Sequence, residues 1–210
     1  MTDAVRDAYD AKTKLYADVN RDELDRVPLV REWLGAFARL VSPGVGMVAD
    51  VGCGHGHIVN YLAELGVEAI GYDISPAMID EARRAFPGSK FQVGDLTSLD
   101  IADRSLAGIV SRYSLIHLDP AQLTDVFGEF LRVLRPRAPI LVSFFASSSS
   151  VNHGLSFDHA VVTAHEFFPE TLVAEMKAVG FDRFEGSTRK PLEGERQLDH
   201  GTILARRGNS

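Results

Sequence analysis

The sequence predicts an α/β fold, a mostly parallel sheet covered by helices on both faces. Three observations predict it. Short β-branched runs alternate with amphipathic stretches along most of the chain, the rhythm of right-handed strand–helix–strand crossovers. The first run, 47–51, passes through Gly52, Gly54 and Gly56 straight into a helical pattern over 57–65. The glycines and acids that stand out fall at the ends of the runs, where ligands of such sheets bind.

Each element follows in order. Residues 3–20 and 22–42 read as two helices, the second with Leu24, Val27, Val30, Leu34, Phe37, Leu40 and Val41 at helical spacing and a stop at Ser42-Pro43-Gly44. They are expected to cap a cleft, with Tyr9 and Tyr16, two turns apart on one face, pointing inward. The first strand is apolar except for Asp50. A second, 67–73, ends in Asp73; Ser75 and Pro76 then open a helix as N-cap and first residue, with Met78, Ile79, Ala82, Ala85 and Phe86 on its buried face. Strand three, 89–93, runs into Gly94-Asp95-Leu96, and strand four is 106–112. A helix over 120–134, a strand over 138–145 and a helix over 169–179 follow. Two strands near 181–187 and 201–206 close the chain around a charged turn at 190–197. The segment 147–168 has little regular pattern; a loop of that length in a compact domain reads as a lid or substrate loop.

At 210 residues the expectation is one domain over 1–210, with 1–44 as its N-terminal helical cap. A net charge of −7 argues against nucleic acid as a partner, which would favour a basic face. A lone cysteine, Cys53, forms no internal disulfide and fits a reducing compartment. With no signal-like apolar run at the N-terminus and no stretch of about 20 apolar residues, no membrane partner is expected and the location reads as cytoplasmic. Oligomeric state leaves no trace in the sequence.

Asp73 lies 21 positions after Gly52, the distance at which a second-strand carboxylate accepts from both hydroxyls of a nucleoside ribose. A dinucleotide fingerprint would want Gly or Ala at 57, where this chain has His57. D-x-G-x-G-x-G on the first strand, G-x-D at the second and G-D-L after the third together resemble the class I S-adenosylmethionine-dependent methyltransferases, firmly over 45–145 and more loosely beyond. The Tyr-Ser-Leu-Ile-His-Leu run after strand four is closest to the small-molecule type. The resemblance implies a Rossmann-like seven-stranded sheet in the order 3-2-1-4-5-7-6, ending in an antiparallel hairpin. It implies S-adenosyl-L-methionine as cofactor and S-adenosyl-L-homocysteine as product. By the same resemblance Gly52, Cys53, Gly54 and Gly56 form the loop under the methionine moiety, with Asp50 toward its ammonium. Asp73 holds the ribose, Ile74 and Met78 line the adenine, Asp95 accepts from the adenine amino group and Leu96 packs beside it. Arg112 and Tyr113 reach the cofactor mainly through backbone, and Tyr16 closes over the methionine carboxylate. One departure is the turn Arg135-Pro136-Arg137-Ala138-Pro139, which lacks the glycine many relatives have after the proline.

Methyl transfer is an in-line displacement from a good leaving group, so the main tasks are alignment and exclusion of water. A hydroxyl or amine acceptor adds the need for a base, and His117, just after strand four, is the candidate. His153, His159 and His165 share a six-residue spacing that suits no helix face, so no metal site is expected with Asp158 and Glu166. His55 and His57 border the glycine loop, and Cys53 is read as a small packing residue. Trp33 is read as core, with Phe157, Phe167 and Phe168 as walls for an apolar acceptor. The expected function is methylation of a small molecule, on O or N ahead of C. The competing readings are a nicotinamide-dependent oxidoreductase, disfavoured by His57 and the G-D-L, and a non-catalytic protein binding the same cofactor.

Overall fold

The computed structural model describes residues 3–42, 44, 46–159 and 162–209. Pro43 of the expected helix stop, and residues 1, 2, 45, 160, 161 and 210 of the expected domain, lie outside them. Three helices, not two, precede the sheet: α1 (Asp3–Asn20), α2 (Glu23–Arg26) and α3 (Pro28–Leu40). Pro28 is the cause. Proline lacks an N–H and suits the first turn of a helix, so a new helix starts there after the non-helical Val27. Val30, Leu34 and Phe37 then recur on one face of α3 and are buried.

The strands and helices alternate as expected through β1 (Val48–Val51), α4 (His57–Glu64), β2 (Ala69–Asp73), α5 (Pro76–Ala85), β3 (Lys90–Val93) and β4 (Gly108–Arg112). Then come α6 (Leu123–Val133), β5 (Pro139–Ala146), β6 (Leu155–Phe157), β7 (Ala164–Glu166), α7 (Pro169–Val179), β8 (Phe181–Arg189) and β9 (Asp199–Arg207). Ser75 caps α5 as predicted, its hydroxyl accepting from the Met78 N–H at 3.0 Å, with Pro76 at the first helical position.

The main sheet has the order β3-β2-β1-β4-β5-β9-β8. Strands β1 to β5 run parallel, and β9 is antiparallel to both β5 and β8. Set aside the separate β6–β7 hairpin, and the seven strands fall in the expected 3-2-1-4-5-7-6 arrangement. All eight residues of β5 are buried, since helices cover both its faces and a strand flanks each edge. The order reverses between β1 and β4, so their carboxyl ends frame a crevice.

The segment 147–168 corrects the expectation of a patternless loop. It holds a 3-10 turn at Ser150–Asn152 and the β6–β7 hairpin, pinned to the sheet where Phe167 N–H donates to the Phe145 carbonyl at 2.8 Å. Strands of three residues with exposed Leu155 and Ser156 give too short a period to read from sequence.

Candidate active site

Three strand tips build the crevice. Leaving β1, the chain passes Gly52 (φ 82) and Gly54 (φ 52), and Gly54 N–H donates to Asp73 Oδ2 at 2.8 Å. Ser75 N–H donates to Asp73 Oδ1 at 2.9 Å. The carboxylate at the β2 tip is thus pinned by two backbone donors, and each oxygen keeps acceptor capacity for a further hydroxyl. Burial still pushes the Asp73 carboxyl up, against the hydrogen bonds from Ser75 and Gly54. The glycines serve different ends. A Cβ at Gly52 would stand 2.3 Å from Ser114 Cβ, and one at Gly54 would stand 3.3 Å from the Tyr16 ring across the crevice. Gly56, by contrast, faces Phe91 and Ala82, so its lack of a side chain serves the packing of α4 on the sheet rather than the crevice.

Three connected cavities lie around these tips. The first is lined by Gly52, Gly54, Asp73, Ile74, Gly94 and Leu96 from the sheet side, closed by Tyr9, Tyr16 and His117. A second lies against Asp50, Gly52, Cys53, Gly54, His55 and Arg112. The third opens between α1 and the β8–β9 turn, over Tyr113, Phe145, His159 and His200. Tyr16 and Tyr113 line all three. Met78, fully buried on the inner face of α5, and Asp95, whose Oδ1 accepts from Thr97 N–H and hydroxyl at 2.9 and 2.8 Å, do not line the first cavity. The Cys53 sulfur presses on Gly71, and burial pushes its thiol pKa up, as a packing thiol requires.

The N-terminal helices lie over the crevice. Tyr9 and Tyr16 meet edge to face at 5.4 Å, and the Tyr9 hydroxyl reaches His117 Nε2 at 2.7 Å. Asp10 Oδ1 accepts from the Ser75 hydroxyl at 2.5 Å and the Ala77 N–H at 3.2 Å, tying α1 to the start of α5. Glu23 of α2 accepts from both terminal nitrogens of Arg112, at 2.7 and 3.0 Å, and lies 3.0 Å from His57 Nε2. Burial opposes charge on Glu23, but Arg112 and His57 outweigh it and hold the carboxyl well below its usual range. Arg112 therefore contributes a buried guanidinium to the wall, more than the backbone role the resemblance implies. Asp50 is 1% exposed and its Oδ2 has no hydrogen-bond partner among the described residues. Burial pushes its carboxyl up to about 7, against the pull of Arg112. An orphaned acid beside a guanidinium, facing one cavity, suits both ends of an amino-acid zwitterion.

His117 sits in the 3-10 turn Leu115–His117 with Nδ1 3.2 Å from the Thr163 carbonyl. A carbonyl only accepts, so Nδ1 carries the proton and Nε2 accepts from Tyr9. Burial pushes the His117 pKa down to about 4. The ring is neutral with both nitrogens engaged, so it positions Tyr9 and is not open to an acceptor. His153 Nδ1 accepts from the Phe168 N–H at 3.1 Å, and His165 Nδ1 is 3.2 Å from the Ile116 carbonyl. Phe167 is core, Phe168 is the N-cap of α7, and Phe157 meets Phe145 edge-on at 5.4 Å near the third cavity. Among the described residues no group of three His, Cys, Asp or Glu is placed to hold a metal ion. Asp10, Glu23, Glu195 and His200 were not legible, for they reach the site from segments whose local sequence carries no motif.

A methyltransferase-domain family matches residues 48–137, the span from β1 to the turn before β5. Over this stretch the chain is similar to a methyltransferase domain. The chain is 31% identical over 103 residues to a malonyl-[acyl-carrier protein] O-methyltransferase of Yersinia pestis, covering 49% of this chain and 38% of that protein. It is 33% identical over 97 residues to a probable S-adenosylmethionine-dependent methyltransferase of Mycolicibacterium smegmatis, covering 46% and 37%. The matched part thus spans well under half the length of these relatives. A Burkholderia thailandensis 1,6-didemethyltoxoflavin-N1-methyltransferase, solved with its substrate and S-adenosylhomocysteine, has the same fold with a TM-score of 0.74 at 22% identity, over 98% of this chain and 88% of that one. No helix among the described residues is long and apolar enough to cross a membrane.

Proposed function

We propose that this protein methylates a small molecule, on oxygen or nitrogen ahead of carbon, using S-adenosylmethionine. The observation that carries the reading is the pairing of Asp73, pinned at the β2 tip, with the orphaned Asp50 beside Arg112 one loop away. The first suits a ribose, the second an amino-acid tail, and the glycine turn lies between them. When bound, the cofactor supplies an electrophilic methyl on a sulfonium. Asp73 would orient the ribose, Ile74 and Leu96 would flank the base, and Asp50 would take the ammonium. Tyr16 and Tyr113, common to the three cavities, would exclude water where methyl and acceptor meet. The relatives, a malonyl-[acyl-carrier protein] O-methyltransferase and a 1,6-didemethyltoxoflavin-N1-methyltransferase, suggest acceptors to try first. A small-molecule acceptor, with no nucleic acid, fits the net charge of −7.

Calorimetric titration tests the reading. S-adenosylhomocysteine is expected to bind in a 1:1 complex and NADH to give no heat. Tight NADH binding with none for the homocysteine compound would instead favour the oxidoreductase.

A further inference from the structure

Tyr113 and His200 form a second tyrosine–histidine pair, and methyl-donor binding leaves it unexplained. Tyr113 has a left-handed backbone (φ 53), an unfavourable state for a non-glycine residue that its N–H bond to the Ser143 carbonyl at 2.8 Å helps hold. The turn sends its hydroxyl to His200 Nδ1, 2.6 Å away. His200 stands on β9, opposite Phe145 on β5 and Arg189 on β8. The Phe145 ring packs on both members, at 5.1 Å from Tyr113 and 5.3 Å from His200. His200 Nε2 is buried without a hydrogen-bond partner among the described residues, 3.5 Å from Glu195 Oε2. Glu195 is fixed in turn by Arg189, at 2.6 and 2.8 Å, and by the Leu192 N–H at 2.7 Å.

Resting on the methyltransferase reading, the geometry points to a proton relay from acceptor through Tyr113 to His200, with Glu195 facing the imidazolium that forms. The acceptor it serves is a small planar molecule with an acidic hydroxyl or ring N–H, seated on Phe145 in the third cavity. The acceptor proton passes to Tyr113 Oη as the Tyr113 hydroxyl proton passes to His200 Nδ1. The bonding pair stays on the acceptor atom, ready for the methyl. His200 ends with protons on both nitrogens and Glu195 opposite Nε2; the proton leaves to solvent after turnover. At rest the ring is neutral, its pKa pushed down to about 4 by burial and Arg189, with Arg112 adding to them and Glu195 and Glu23 opposing. Tyr9–His117 lacks this arrangement, because its far nitrogen ends on a carbonyl that takes no charge. A carboxylate acceptor needs no such relay, since its nucleophile is already ionised.

The protein is first saturated with S-adenosylhomocysteine, checked by calorimetry, then mixed with 4-nitrophenol buffered at that phenol's own pKa, where a weakly basic ring is enough to tip the balance. The wild-type complex is expected to bind the probe as phenolate and show its visible absorbance in excess of the free probe's. Tyr113→Phe, which keeps the ring, and His200→Gln, each saturated in the same way, are expected to lose that excess at least tenfold. A wild-type complex that binds the probe protonated, or not at all, overturns the relay, as does an excess that persists in both variants. Failure to take up S-adenosylhomocysteine is seen before any probe is added and removes the cofactor reading along with the relay. A wild-type complex that passes the first step and fails the second sinks the relay alone.

Discussion

The two halves of the crevice are built by different means. The side proposed for the nucleoside is made by the tips of β1, β2 and β3, and its polar groups are held by backbone: Gly54 and Ser75 N–H fix Asp73. The side proposed for the acceptor is made by side chains from α1, the turn after β4, β5, β9 and the turn before it, held by one another. Strand tips in a parallel sheet are placed by the ladder itself, so a ligand common to many proteins binds there with few adjustable parts. A side-chain wall assembled from remote segments changes without disturbing the sheet, which is where specificity belongs.

The widest gap between the halves should show in Glu23, the cap residue that joins them. Glu23→Ala leaves the buried Arg112 guanidinium without its carboxylate, and unfolding should become easier by about 3 kcal/mol. Denaturant midpoints measure it, and a change under 1 kcal/mol would mean that the pair is dispensable. Asp73→Ala is next: S-adenosylhomocysteine affinity should fall roughly a hundredfold, from lost charge-assisted bonds. Near-normal affinity in calorimetry would dissolve the distinction between the halves.

A smaller effect separates the tail from the nucleoside. Asp50 is raised to about 7 in the fold against an ordinary 3.8, so the folded state holds a proton that the unfolded chain releases between those values. Its contribution to stability is therefore present at low pH and lost as pH rises through about 7. An ammonium favours the ionised form, so S-adenosylhomocysteine should bind more tightly as pH climbs toward neutrality, by at most about tenfold per unit. Asp50→Asn should flatten the dependence, and 5′-methylthioadenosine, which lacks the amino-acid tail, should not show it. Equal slopes for both ligands would place the tail elsewhere. Least of all, His117→Ala removes one hydrogen bond to Tyr9 and should loosen α1 by about 1 kcal/mol, read as faster amide exchange across α1. Unchanged exchange would mean that the bond does not hold the cap.

The same contrast explains what the sequence disclosed. The strand–glycine–helix run, the acid 21 positions on and the G-D-L are local patterns, and they placed Asp50, Gly54, Asp73 and Leu96 around one cavity system. Tyr9 and Tyr16 were legible because two turns of one helix fix their common face. Gly56 and Met78 carry the pattern yet serve packing, for a motif records spacing and not which side of the backbone a ligand occupies. His117 was conspicuous in its run, but nothing local shows that Thr163, 46 residues away, claims its other nitrogen. His200 and Glu195 lay in a strand and a charged turn with no signal at all; the β5–β9 register brings His200 opposite Phe145.

The most direct measurement is a crystal structure of the protein with S-adenosylhomocysteine bound. The account predicts ribose hydroxyls on the Asp73 carboxylate, with the amino-acid tail between Asp50 and Arg112. Nucleoside density away from Asp73, or a glycine turn left bare at saturating ligand, would contradict it.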